Sequence, residues 1–239
     1  MYTRVLLKLS GEQLSGKYDG GIDAGLCAWL ADEVKKVVDA GSQVVIMVGG
    51  GNYARGAQLA DSAAGKTGIA RVTADNIGML ATLMNALALS DIFNANNVPT
   101  RAISNVVAEQ VVDPFTHRRA ISHLQKQRVV IVGGGIGRPY LTTDTAAVSL
   151  ALELGCEVVL KATKVDGIYE SDPAKNPDAK RLESLSYQQA VSDQAIKVMD
   201  KAAMGLAMEH NLPVVVFDAM QPDTILQVVE GRPVGTKIS

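Results

Sequence analysis

The stretch Val44-Val45-Ile46-Met47-Val48-Gly49-Gly50-Gly51-Asn52 decides the fold. Its apolar run has no polar face, and it passes at once into glycines. A strand buried on both sides reads this way, which is the mark of a parallel sheet covered by helices. Similar runs recur at Val5–Leu9, Val129–Val132, Val158–Leu160 and Val214–Phe217, with a weaker one near Pro99–Ile103. Helix-like segments lie between them. Asp23 can cap a helix running to about Ala40, which Gly41 ends. Thr143 or Asp144 can cap another running to about Leu154, with Gly155 after it. The apolar segment Ile77–Leu89, which contains Thr82 and Asn85, reads as a buried helix too short to span a bilayer. The alternation predicts a three-layer α/β/α sandwich around a mostly parallel sheet. It is expected to form a single domain over residues 1–239, with soft halves of about 1–125 and 126–239.

Charge narrows the function. Lys plus Arg number 23 and Asp plus Glu 25, a net −2, which argues against a nucleic-acid coat or a polybasic membrane binder. Residues 1–9 carry Lys8 inside their apolar run and lack a signal-peptide cleavage site. Cys27 and Cys156 form no CxxC pair, so inert thiols in a reduced cytoplasm are expected. His117, His123 and His210 lack metal-ligand spacing and read as surface or helix-end residues. No direct protein-held metal site is expected.

Two stretches approach a phosphate-binding P-loop. Gly11–Lys17 is followed by Tyr18 and then Asp19-Gly20-Gly21, which cannot start the required helix. Ala60–Thr67 follows Tyr53–Ala60, which reads as a helix rather than a strand. The stronger signal is distributed. The strand runs end in Lys8-Leu9-Ser10-Gly11, in Gly49-Gly50-Gly51-Asn52 followed by Arg55, and in Gly133–Gly137 followed by Thr142-Thr143-Asp144. In an open parallel sheet such carboxyl-end loops gather on one edge, where ligands bind. Glycines there let backbone N–H groups approach phosphate oxygens. Lys8 sits inside a buried strand, and an unpaired buried ammonium is costly. It must therefore snorkel or meet an anion. Together these features favour a polyphosphate site.

KLSGE (Lys8–Glu12), GGGN (Gly49–Asn52) with Arg55-Gly56, TTD (Thr142–Asp144), KATKVDGIY (Lys161–Tyr169) and SDP (Ser171–Pro173) resemble the amino-acid-kinase family. ADNIGMLATLMNALAL (Ala74–Leu89) and DQAIKVMDKAA (Asp193–Ala203) are similar to the bacterial uridylate (UMP) kinases within it. The match runs essentially end to end. It implies transfer of the ATP γ-phosphoryl group to UMP, giving UDP and ADP on the route to CTP, with Mg²⁺ accompanying ATP. It implies catalytic roles for Lys8, Arg55 and Asp144. Lys8, Leu9, Ser10, Gly11, Gly51, Arg55, Thr163, Tyr169 and Asp172 would line the ATP site. Gly50 and Asp75, the latter on the ribose hydroxyls, would hold UMP. So would Ile136, Gly137, Arg138, Pro139, Tyr140, Leu141, Thr142 and Thr143. The loop of Gly16, Lys17, Tyr18, Asp19, Gly20 and Gly21 is similar to the region linked to GTP activation, and UTP would inhibit. The resemblance also implies a homohexamer, a trimer of dimers, with Ile77–Leu89 at a dimer face. The chain departs from the family at Ile136-Gly137-Arg138-Pro139, where Thr-Gly-Asn-Pro is common, and has a longer Asp61–Gly68 loop.

UMP's phosphate is mostly dianionic at neutral pH, so no strong general base is needed. Positioning and charge stabilisation then carry the transfer. Asp144 either orients Lys8 or a metal-bound water, or is a plain helix cap. Lys161 is either a further catalytic cation or a strand-end side chain reaching solvent. Another kinase of the family, or a non-catalytic nucleotide-binding protein, are the competing readings.

Overall fold

The computed structural model describes residues 1–54, 68–171, 176, 178–192 and 199–239. The strands are β1 (Arg4–Leu9), β2 (Gln43–Val48), β3 (Thr100–Ser104), β4 (Asp113–Pro114), β5 (Val129–Gly133), β6 (Val158–Thr163), β7 (Ile168–Tyr169), β8 (Arg181–Leu182), β9 (Ser184–Leu185), β10 (Val214–Asp218) and β11 (Thr236–Ile238). All six apolar runs are strands of one nine-stranded sheet, ordered β4-β3-β5-β2-β1-β6-β10-β11-β9. Neighbours run parallel except β10 and β11. The short strands β4, β9 and β11 extend its edges, and β7 and β8 form a separate antiparallel ribbon.

The helices are α1 (Gly11–Leu14), α2 (Ala24–Asp39), α3 (Arg71–Ala95), α4 (His117–Gln125), α5 (Thr143–Glu153), α6 (Tyr187–Ser192), α7 (Lys201–Glu209) and α8 (Thr224–Val229). Successive strand residues point to opposite faces, so each strand feeds two cores. Val5, Leu7, Leu9, Ile46 and Ile131 pack with α2, α3 and α8. Leu6, Val45, Met47, Val130 and Val132 pack with α4, α5 and α7. The expected three layers are present, and both faces of the central strands are buried.

The helix ends follow local chemistry. Asp23 caps α2, accepting from the N–H groups of Gly25 at 3.0 Å and Leu26 at 3.1 Å. Gly41 beyond its far end takes φ 97°, a region that favours glycine. The cap of α5 is Thr142, not Thr143 or Asp144: its Oγ1 accepts from Asp144 N–H at 3.0 Å. Asp144 therefore lies inside the first turn, with its carboxylate available elsewhere. Cys27 and Cys156 are buried and free, and burial pushes their thiols up to about 11 and about 12. His117 opens α4, His123 lies in its last turn and His210 caps the end of α7.

Helix α3 departs from expectation. It runs well beyond Ile77–Leu89 and is long and apolar enough by composition to cross a membrane. Its face toward the sheet is buried, but Val72, Leu80 and Met84 are exposed. The buried face carries polar anchors. Asn85 and Asn52 exchange amide hydrogen bonds at 2.7 and 2.9 Å, and Asn85 also donates to Gly49 O at 2.7 Å. Positions 55–67 of the expected Tyr53–Ala60 helix and Asp61–Gly68 loop lie outside the described residues. So do 172–175 and 177 of the Pro-rich stretch.

Asn85→Ala would leave the Gly49 carbonyl and the Asn52 amide without their buried partner. The expected loss is about 1–3 kcal/mol per unpaired group, read as a lower urea midpoint at unchanged slope. An unaltered midpoint would count against this anchoring role.

Candidate active site

Strands β1, β2, β5 and β6 deliver their carboxyl ends to one edge of the sheet. In the parallel register Lys8 lies opposite Lys161, and both ammonium groups converge on Asp144 at the start of α5. Lys8 Nζ stands 2.8 Å from Asp144 Oδ1, and Lys161 Nζ donates to Oδ2 at 2.7 Å. All three side chains are largely withdrawn from solvent. Lys8 therefore meets an anion rather than reaching for water. Burial by itself would raise the Asp144 carboxyl, but Lys8 and Lys161 outweigh it, and the net direction is down. Burial lowers Lys161, Asp144 partly offsets that, and the neighbouring Lys8 charge lowers it again. The arrangement is an ionised carboxylate facing two lysine ammonium groups, with the Asp200 charge also acting on Lys161.

The turn after β1 is packed directly against the glycine turn after β2. A Cβ on Gly11 would fall 2.7 Å from Gly51 N and 2.8 Å from Gly49 O. On Gly50 it would fall 2.9 Å from both Gly78 O and Thr82 N of α3. Neither position has room for a side chain, so glycine here is a packing requirement. Helix α1 starts at Gly11, and Gln13 on it is buried. Its Oε1 accepts from Ser10 N–H at 2.9 Å, and its Nε2 donates to Thr163 O at 3.0 Å. Gln13 thus joins the end of β1 to the end of β6. Asn52 donates to Gly21 O at 2.7 Å and Gly21 N–H returns a bond to Asn52 O at 3.2 Å, so the 16–21 loop abuts the same turn.

On the other flank, Gly134 N–H donates to Thr82 Oγ1 at 2.7 Å, tying the end of β5 to α3. The segment that follows reaches Asp75, whose Oδ2 accepts from Tyr140 N–H at 2.9 Å. Arg71 Nε lies 3.0 Å from both Asp75 oxygens. Asp200 accepts from the hydroxyls of Thr142 and Thr145 while capping α7 through Ala203 N–H at 2.8 Å.

The structure thus brings together Lys8, Ser10, Gly11, Gly51, Asp144 and Thr163 from separate elements, and sets Asp75 against Tyr140. Leu9 and Ile136 differ from expectation in what they offer. The Leu9 side chain lies in the apolar core, and Ile136 packs against the other core, so any ligand contact by Leu9 comes from its backbone. Arg138 and Leu141 are exposed, and Pro139 and Thr143 half-buried. Tyr169 is in the β7–β8 ribbon with its hydroxyl donated to Asp166 at 2.7 Å. Arg55 and Asp172 lie outside the described residues. Local sequence pattern alone does not mark Gln13 or Asp200. The i, i+4 spacing of Arg71 and Asp75 on an apolar helix was a usable signal. Among the described residues, no group of three or more His, Cys, Asp or Glu is placed to hold a metal.

A family model for the amino acid kinase family matches residues 3–218. The UMP kinase from Bacillus anthracis is 38% identical, with a TM-score of 0.92 over 100% of this chain and 96% of that one. The UMP kinase from Ureaplasma parvum is 33% identical, with a TM-score of 0.90 over 100% and 99%. The uridylate kinase from Archaeoglobus fulgidus is 28% identical, with a TM-score of 0.74 over 98% and 99%.

Asp144→Asn would leave two buried ammonium groups facing each other. Breaking a buried charge pair costs about 3–5 kcal/mol. Because the folded carboxyl is held low, its stabilisation is complete above the ordinary carboxylate range and is lost as pH falls through the folded value. Urea denaturation should show a large gap between wild type and variant at neutral pH that narrows in acid. A gap that stays constant with pH would assign the effect to something other than this charge.

Proposed function

The chain belongs to the amino acid kinase family, whose members are phosphotransferases, and from that premise we propose that it transfers the ATP γ-phosphoryl group to UMP, giving UDP and ADP. The observation that carries the reading is the Lys8–Asp144–Lys161 cluster at adjacent strand ends, beside two interlocked glycine turns. Such an edge suits a polyphosphate, with backbone N–H groups and paired cations facing the same anion.

The chemistry needs no strong base. A UMP phosphate oxygen, already ionised at neutral pH, attacks the γ-phosphorus, and the bond to the β–γ bridging oxygen breaks with ADP leaving. Asp144 is a poor proton acceptor because two ammonium groups hold its charge. Its work is positional: it sets Lys8 and Lys161 a fixed distance from one carboxylate, aimed at oxygens that gain charge in transfer. Mg²⁺ accompanying the nucleotide would supply charge neutralisation at its phosphates. The donor set fits an ion held chiefly by phosphates and water, since both Asp144 oxygens already face ammonium groups. Ser10, Gly11, Gly51 and Thr163 stand on the ATP side, with Arg55, Tyr169 and Asp172 assigned there by family resemblance. Asp75, Gly50 and the 136–143 segment take UMP.

The same reading makes the enzyme a cytoplasmic homohexamer in pyrimidine nucleotide synthesis toward CTP, activated by GTP and inhibited by UTP. Exposed Leu80 and Met84 on α3 support a subunit contact there. The Gly21–Asn52 hydrogen bonds support communication between the 16–21 loop and the phosphate turn.

ADP release from ATP should be strong with UMP and weak with acetylglutamate or carbamate. Lys8→Ala should abolish turnover while leaving the circular-dichroism spectrum native. Near-normal turnover in that variant would remove the mechanism. Asp75→Ala should raise the Michaelis constant for UMP and spare that for ATP. The opposite split would reverse the two sites.

A further inference from the structure

Strands β1 and β6 part company at the site edge. Their pairing ends at Lys8 and Lys161, while β6 continues against β10 through Thr163 and β1 against β2 through Leu9. The chain leaves β1 for α2, whose Cys27, Leu30 and Val34 pack on one face of the sheet. It leaves β6 for α6 and α7, whose Ala190, Ala203 and Met204 pack on the other. Neighbouring strands whose connections diverge to opposite faces leave a crevice outside their carboxyl ends, where ligands of open α/β sheets bind. Gln13 crosses this crevice and is only 5% exposed. Its Oε1 accepts from Ser10 N–H at 2.9 Å on one wall, and its Nε2 donates to Thr163 O at 3.0 Å on the other. Those partners fix the orientation of the amide, since a backbone N–H only donates and a carbonyl only accepts. The side chain thus supplies a rung where the backbone ladder has stopped.

We propose that Gln13 is a positioning residue that sets the width of the β1–β6 crevice and thereby the fit of the phosphoryl donor. The inference rests on the phosphotransfer reading above. One wall carries Lys8, Ser10 and Gly11, and the other carries Lys161. A polyphosphate that touches both walls binds best when their spacing is already fixed, because less ordering is then left to the binding step. On its outer side the first wall abuts the β2 turn, where a Cβ on Gly11 would fall 2.7 Å from Gly51 N. The second wall is paired to β10. Across the crevice the Gln13 amide ties them. The segment after β5, assigned above to the acceptor, is fastened instead to Thr82 and Asp75 of α3. Loss of the Gln13 tie therefore weakens the donor and spares the acceptor.

The test measures kcat and the Michaelis constants for ATP and UMP in the full chain, with a thermal melt for each protein. Gln13→Met keeps the length of the side chain and removes both hydrogen bonds, so packing alone is conserved. It is expected to raise the ATP constant roughly tenfold, the scale of the hydrogen bonds lost. The UMP constant should stay at its wild-type value. If Gln13→Met melts too early to assay, Gln13→Ala, which places a strong helix former in α1, carries the same comparison. Wild-type constants in a folded variant overturn the proposal while leaving the phosphotransfer reading intact. An equal rise for ATP and UMP, or a fall in kcat alone, overturns it as well, because general loosening would do either. A wild type inactive with ATP and UMP sinks that reading and this inference with it.

Discussion

Lys8 and Lys161 are register partners on adjacent parallel strands, whose backbones lie about 4.8 Å apart. Their side chains leave the same face of the sheet at the same height. Two ammonium groups so placed and largely buried would oppose folding through both repulsion and lost hydration. Asp144 makes the pair tolerable by facing one nitrogen with each oxygen. Its position depends on Thr142 taking the cap of α5, which places Asp144 in the first helical turn with its side chain free to point at the strand ends. One local hydroxyl–amide bond thus decides where the carboxylate stands, and the carboxylate decides where both cations stand.

Around that cluster the loops are held by backbone approach and buried amides rather than by apolar packing. Gly11 lets the β1 turn press against the β2 turn, and Gly50 lets the β2 turn press against α3. Asn52 and Asn85 fasten the same turn to the helix from inside. Gln13 spans from Ser10 to Thr163, beyond the last Lys8–Lys161 pairing of the two strands. These bonds make the edge rigid without filling it. Fixed donors at the point where charge develops are what electrostatic catalysis requires, because they need no reorganisation during the reaction. The polar face of α3 serves this framework, while its exposed Leu80 and Met84 face outward.

Much of the fold was legible in the chain order alone. Runs such as Val44–Val48 and Val129–Val132 bury both faces, and only a covered parallel sheet accommodates a series of them. Asp23 and Gly41 marked their helix correctly because capping is decided within a few residues. The two- and three-residue strands β4, β9 and β11 carried no periodic signal, since they exist only by pairing with strands already in place. The cap of α5 was displaced by one residue because Thr142, Thr143 and Asp144 are all good caps, and the alternative use of Asp144 lies across the sheet. Lys8 was conspicuous as a charge in an apolar run, and Gly49–Gly51 as a turn that would admit a phosphate.

Composition and local pattern determined the layers, the main strands and the residue types able to meet a phosphate. Tertiary structure decided their partnerships: Lys8 with Asp144 and Lys161, Gln13 with Thr163, Arg71 and Tyr140 with Asp75. Secondary structure depends on neighbours a few positions away, so it leaves a periodic trace in the chain. A buried ion pair joining positions 8, 144 and 161 leaves none, because its geometry exists only after β1, β6 and α5 have packed.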